Sequence, residues 1–209
     1  MEDVLELYAE PHDPKRPVVC FDECSKELHA QVADPIPAAP GHPAKEDYEY
    51  VRSGTANTFI FVEPLAGRWQ VNVTDRRTIP DFAARMKCRC DDMYPNAGVI
   101  RVVLDNLNTH ALGSPFATYP PDEAWRLARR LEFHYTPKHA SWLNMAECEL
   151  SARSRQGLAR RVADKATLTT EMAAWQEPRN RAKVKIEWTF RVADARKKLD
   201  FLYPKELVR

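Results

Sequence analysis

The chain has 209 residues, 44% apolar and 29% charged, with 31 Lys and Arg against 30 Asp and Glu. That balance describes one soluble globular unit, or two at most, large enough to bury a core unaided; disordered, collagenous, coiled-coil and low-complexity chains are excluded. A membrane span would need a run of about 18 apolar residues, and none is present. Met1 to Glu10 carries four acidic residues and no basic stretch, so no secretion signal is expected. Five cysteines without disulfide-scaffold spacing suit a reducing cytoplasm.

The near-neutral total conceals an asymmetry. Residues 1–125 sum to −8 and residues 126–209 to +9. A basic half suits a polyanion and an acidic half suits cations, although two halves attracting one another inside one fold is an equally simple reading.

In chain order, Met1 to Ala9 resembles the end of a helix that began upstream, and three prolines within Glu10 to Pro17 predict an extended linker. Val18 to Glu23 is a short apolar run ending in two carboxylates, the pattern of a buried strand with acids at its tip. Five Pro and Gly residues between Asp34 and Pro43 predict a long mobile loop. Asn57 to Val62 and Arg68 to Val73 are strand-like, with a hairpin turn at Glu63 to Gly67. Thr78-Ile79-Pro80-Asp81 opens a helix that ends near Pro95. Val99 to Leu104 is β-branched and again ends on a carboxylate, Asp105.

Further on, a helix is expected over Asp122 to Arg130, a fifth strand over Leu131 to Thr136, and a helix from Trp142 to Gly157. The last third is helical by pattern over Thr167 to Arg179 and from Thr189 or Val192 to Leu202, with Pro204 closing it. The order predicts an α/β fold, a mixed five-stranded sheet of antiparallel meander plus parallel strands, flanked by helices.

Three carboxylates stand out. Asp22 and Asp105 close buried strands, where ligand sites collect in such sheets. On the helix from Trp142, Leu143, Ala146 and Leu150 share a face with Glu147, which points that acid inward, whereas Glu149 lies about 200° around the helix and points away. A carboxylate turned toward a core is costly unless paired or coordinating a cation, so these three acids invite one or two Mg²⁺ or Mn²⁺ ions. Paired oxygen-ligated metals suit in-line attack on a phosphodiester. Cys20/Cys24 and Cys88/Cys90 do not have zinc-site geometry, and six glycines leave no phosphate-binding loop.

The segments Val18 to Glu23, Val102 to His110 and His134 to Glu147 resemble the three signature blocks of the DDE transposases of mariner-like bacterial insertion sequences, the six-thirty group. The block order, the Asp-Asn-x-x-x-His pattern and the Asn-x-x-Glu pattern all agree. The resemblance runs from about Pro17 to the C-terminus and implies an RNase H-like catalytic core over 17–209, with 1–16 a linker or truncated remnant. It implies a bacterial, nucleoid-associated enzyme that cuts double-stranded DNA at transposon ends and joins the free 3′-OH to target DNA. Asp22, Asp105 and Glu147 would be its metal-binding catalytic triad, and Asn106, His110 and Asn144 would support that triad or contact DNA.

Two departures accompany the likeness. The second and third acids stand 42 positions apart, wider than in the mariner relatives, and Met145 replaces the usual Pro before the third acid. Such relatives also carry an N-terminal helix-turn-helix region, which is not expected before Pro17. The partner would then be a homodimer mate or a separately encoded helix-turn-helix protein, and the alternative is a silent remnant that binds DNA or a full-length transposase. In the basic half, Arg153, Arg155, Arg160 and Arg161 follow Glu147, and Lys138, His139 and Trp142 precede it; phosphate contacts are expected there, with stacking or packing for Trp142.

Overall fold

A computed structural model describes residues 1–155 and 160–203. From the N-terminus the chain forms α1 (Glu2–Ala9), β1 (Val18–Gln31), β2 (Tyr50–Glu63), β3 (Arg68–Thr74), α2 (Ile79–Cys88), β4 (Ile100–Leu104), α3 (Pro121–Ala128), β5 (Leu131–Tyr135), α4 (Met145–Arg153), α5 (Lys165–Ala182) and α6 (Val192–Lys198). The five strands make one sheet in the order β3-β2-β1-β4-β5. β1, β2 and β3 are an antiparallel meander, and β4 and β5 run parallel to β1. This is the mixed sheet expected from the sequence.

Alternation along the strands sends successive side chains to opposite faces. Cys20, Ile60, Val62 and Val103 join α1, α4, α5 and α6 in one core, where Leu5, Leu150, Met172 and Ala195 are buried. Val19, Phe21, Phe59, Phe61, Val102 and Leu104 face the other way onto α2 and α3, meeting Phe82, Met86 and Leu127. Phe21 is the hub of that second core, with ring centroids 4.7 Å from Phe61 and 5.4 Å from Phe82. Aromatic pairs of this kind contribute about 0.5–1.5 kcal/mol beyond their burial. Thr78 and Asp81 cap α2 reciprocally, as their spacing predicts.

Several elements differ from the sequence expectation. β1 and β2 are each 14 residues long, and β4 pairs only with Val18 to Cys20 while β3 pairs only with Asn57 to Glu63. The distal halves of the hairpin therefore pair with each other alone and project as an arm. The proline-rich segment at its tip is drawn together by two isolated bridges, Ile36 with Lys45 and Ala39 with His42, around Gly41 at φ +79°. The helix expected from Trp142 is divided into a 3₁₀ turn, Ser141–Leu143, and α4; residues 156–159 and Pro204 lie outside the described residues.

Residues 1–16 are also more than a linker. α1 buries Val4, Leu5, Leu7 and Tyr8, and the Tyr8 hydroxyl donates to the Leu143 carbonyl at 2.8 Å. The buried guanidinium of Arg101 at the start of β4 holds the Arg16 carbonyl and the Glu10 carboxylate. Across the molecule, α5 closes the edge of β3 with side chains. Asn180 accepts from the Trp69 N–H at 2.7 Å and donates to the Trp69 carbonyl at 2.9 Å, while Gln176 accepts from the Val71 N–H at 2.6 Å. Among the described residues no helix is long and apolar enough to cross a membrane.

Candidate active site

The parallel pairing of β1 with β4 sets the site. Cys20 lies opposite Val103, and Asp22 and Asp105 each stand two residues farther along. Asp22, within β1, and Asp105, just past β4, therefore stand at the same level on neighbouring segments, where strands lie about 4.8 Å apart. α4 packs against β1 and supplies Glu147 from its first turn. Asn144 fixes that approach: its side chain caps α4 by accepting from the Ala146 N–H at 3.1 Å and donates to the Phe21 carbonyl at 2.8 Å. With 2% exposure, Asn144 has no surface to offer DNA and acts on the helix instead.

Asp22 is buried; its Oδ1 accepts from the Glu23 N–H at 2.8 Å and its Oδ2 has no hydrogen-bond partner. Burial, then the adjoining Glu147 carboxyl, raises the Asp22 pKa far above the usual carboxylate range. Asp105 is treated oppositely. It is half-exposed and hydrogen-bonded at 2.5 Å to Nδ1 of His110, a bond that holds its pKa below the ordinary value. His110 is buried, with Nε2 at 2.8 Å from the Glu23 carboxylate. Burial opposes charge on the imidazole, yet the Asp105 and Glu23 carboxylates outweigh it and push the pKa up to about 9.

Asp22 and Glu147 are thus brought together, and Asp105 stands beside them turned toward His110. Among the described residues no three His, Cys, Asp or Glu side chains are gathered as a metal centre. Beyond Asp105 lies an open cleft of about 690 Å³ lined by Asp105, Asn106, Tyr135, Lys138, His139 and Ser141. His139 holds a left-handed backbone at φ 64°, uncommon for a residue with a side chain. Trp142 is partly exposed and packs against Trp188 with ring planes 19° apart, flanked edge-on by Phe190.

The arginines expected to meet DNA divide. Arg153 is buried and paired with Glu171 at 3.4 Å, so it ties α4 to α5 and cannot reach a phosphate from there. Arg160 is exposed but shares the same Glu171. Arg161 clasps the hairpin arm, donating to the carbonyls of Asp47, Tyr48 and Glu49 beside the Tyr50 ring. Arg155 is exposed. Glu149, turned away from the stripe that carries Glu147, accepts from Trp69 Nε1 at 3.3 Å and lies 3.4 Å from Arg179, because β3 and α5 close over that side of α4. All five cysteines are free thiols.

Two residues that sequence reasoning passed over also belong to the site. Glu23 follows Asp22, and strand alternation turns it to the opposite face, toward His110. Arg77, ahead of α2, lies 3.6 Å from Glu23 and helps hold the Asp105 pKa down. The doubled carboxylate that follows the apolar run of β1 was the available signal for Glu23.

Solved structures share this architecture. The chain superposes on the crystal structure of the Mos1 mariner paired-end complex with Mn with a TM-score of 0.52 at 12% identity, covering 86% of this chain and 55% of that one. The Mos1 strand transfer complex gives a TM-score of 0.55 at 12% identity, covering 87% and 55%, and the Mos1 transposase paired-end complex with left transposon end gives 0.55 at 13%, covering 88% and 57%. This chain thus spans about half the length of those solved chains. No curated protein sequence matches it. The family model of the DDE superfamily endonucleases matches residues 17–169, from the residue before β1 into α5 and across Asp22, Asp105 and Glu147, and the chain belongs to that superfamily.

Proposed function

We propose that this domain is a transposase catalytic core that hydrolyses DNA at transposon ends and joins the resulting 3′-OH to target DNA with divalent metal, Mg²⁺ or Mn²⁺. The observation that carries the reading is the Asp22 carboxyl on β1 standing beside the Glu147 carboxyl of α4, with Asp105 level with Asp22 just past the end of β4. Two neighbouring acids, of which Asp22 is buried and Glu147 half-buried, repel unless a proton or a cation lies between them, and the unpartnered Asp22 Oδ2 is a free ligand atom. The hard oxygen donors fit Mg²⁺ or Mn²⁺. Asp22 and Glu147 would hold the ion with Asp105, and the ion would supply activation of the attacking oxygen and neutralisation of the leaving one.

The chain's own groups do the rest. Asn144 keeps Glu147 beside Asp22 on β1, and Glu23 and His110 back Asp105. Lys138, His139 and Asn106 line the cleft beside Asp105, where DNA phosphates would lie, and Arg155 and the exposed Arg160 extend positive charge past α4. Trp142 packs within the protein while leaving part of its ring to solvent, so it offers DNA one limited surface. The projecting β1–β2 arm, with Tyr48 and Ile36 exposed, supports a homodimer in which each arm reaches its mate.

A second reading, a chain that binds DNA or a full-length transposase without cutting, is favoured by Asp105 being engaged by His110. Nicking and strand transfer on a pre-cleaved transposon-end duplex in Mg²⁺ or Mn²⁺ separate the two. The proposed reading expects activity in the native chain and none in Glu147→Gln or Asp105→Asn. Full activity of Asp105→Asn refutes it, and an inactive native chain that still binds DNA with a steep salt dependence selects the second reading.

A further inference from the structure

The geometry points to Glu23 as a positioning residue that acts through His110 to aim the Asp105 carboxylate at its ligand. This inference rests on the role proposed for Asp105. Asp105 stands one residue past the last residue of β4, so the sheet does not orient its half-exposed side chain. Its direction comes from the 2.5 Å hydrogen bond to His110 Nδ1. A ring held at one nitrogen can still swing about that bond, and His110 is stopped from doing so on every side. Phe21 meets it nearly edge-on with centroids 5.0 Å apart, Phe82 lies at 4.9 Å, and Nε2 lies 2.8 Å from the Glu23 carboxylate, an ion-pair contact without hydrogen-bond alignment. Its backbone is fixed too, because the Tyr135 hydroxyl donates to the His110 carbonyl at 2.9 Å.

Glu23 is suited to anchor this line. It is buried, it lies on β1, and it neighbours Asp22, so the line from Glu23 through His110 to Asp105 ties the second acid to the strand that carries the first. Arg77, 3.6 Å away, restrains Glu23 from its other side. An imidazole held between a ligand carboxylate and a second carboxylate sets the ligand's direction, and partners of this kind typically contribute about 10–100-fold in metal affinity or activity when removed.

The test uses the full chain and Mn²⁺ as probe, with affinity read by titration calorimetry without DNA, alongside kcat and KM for strand transfer. Glu23→Gln and His110→Asn are each expected to weaken Mn²⁺ binding and lower kcat by about 10–100-fold, with KM for DNA unchanged. The double variant should be no worse than His110→Asn, since Glu23 acts through the ring. A merely structural role would lower thermal stability and leave Mn²⁺ affinity and kcat of the folded protein at native values, which overturns the proposal; additive losses in the double variant overturn it as well. If circular dichroism shows Glu23→Gln unfolded, His110→Asn alone decides by the same readings. Asp105→Asn is the control: native-like activity there removes the role of Asp105 itself, whereas an inactive Asp105→Asn beside a native-like Glu23→Gln removes only this inference.

Discussion

Asn144 donates its side-chain N–H to the carbonyl oxygen of Phe21 across 2.8 Å, joining the cap of α4 to the residue before Asp22. Glu147 lies one turn further along the same helix, so the relative placement of two candidate ligands depends on one buried amide. Asn144→Ala removes the cap and the tether together and should cost about 1–3 kcal/mol. Asn144→Ser keeps a capping oxygen without the reach to Phe21. Denaturant unfolding should therefore place Ser between native and Ala, while DNA cleavage falls in both variants.

Acid should loosen the contact between α3 and the end of α2, where Lys87 meets Glu123. Arg126 and then Lys87 hold the Glu123 carboxyl at about 2, against 4.5 when unfolded. A depressed carboxylate contributes stability that is present above the unfolded value and lost as pH falls through the folded one, so the window runs from 4.5 down to about 2. Solvent screening limits the effect to about 1 kcal/mol. Unfolding free energies measured across that window should fall less steeply in Glu123→Gln.

The amide side chains on α5 take the place of a sixth strand along the edge of β3. Asn180→Ala and Gln176→Ala should each cost about 1 kcal/mol for lost hydrogen bonds. The double variant, with the edge uncovered, should also scatter light on warming sooner than the native protein.

Gly67, in the turn between β2 and β3, has φ +61°, and a Cβ there would lie 2.5 Å from the backbone of Lys183. Gly67→Ala should cost about 3 kcal/mol or more, from left-handed strain together with the clash. Asn tolerates the left-handed backbone but carries the same Cβ, so Gly67→Asn should be nearly as destabilised; a mild Asn variant would show that strain alone matters.

What periodicity carries was readable. The apolar runs ending at Asp22 and Asp105, the cap at Thr78 and the inward face of α4 are local patterns, and the mixed meander-plus-parallel sheet followed from them. The outer half of the β1–β2 hairpin was not readable, because it pairs only with itself and buries too little to alternate cleanly. Arg153 was misplaced and the partners of Glu149 were not foreseen, for one shared reason. A helical wheel tells which face is apolar, but it does not tell that α5 will bring Glu171 and Arg179 against the other side.

The amino-acid sequence alone therefore determined the family and the five strands and singled out the three candidate acids, since these reside in short-range pattern and in motif spacing. Only the tertiary structure decided which acids touch, which histidine nitrogen faces which carboxylate, and which arginines remain free. Those outcomes depend on contacts such as Asn144 with Phe21, made between residues 123 positions apart. Burial then shifts charge and direction at such contacts in ways that no local pattern encodes.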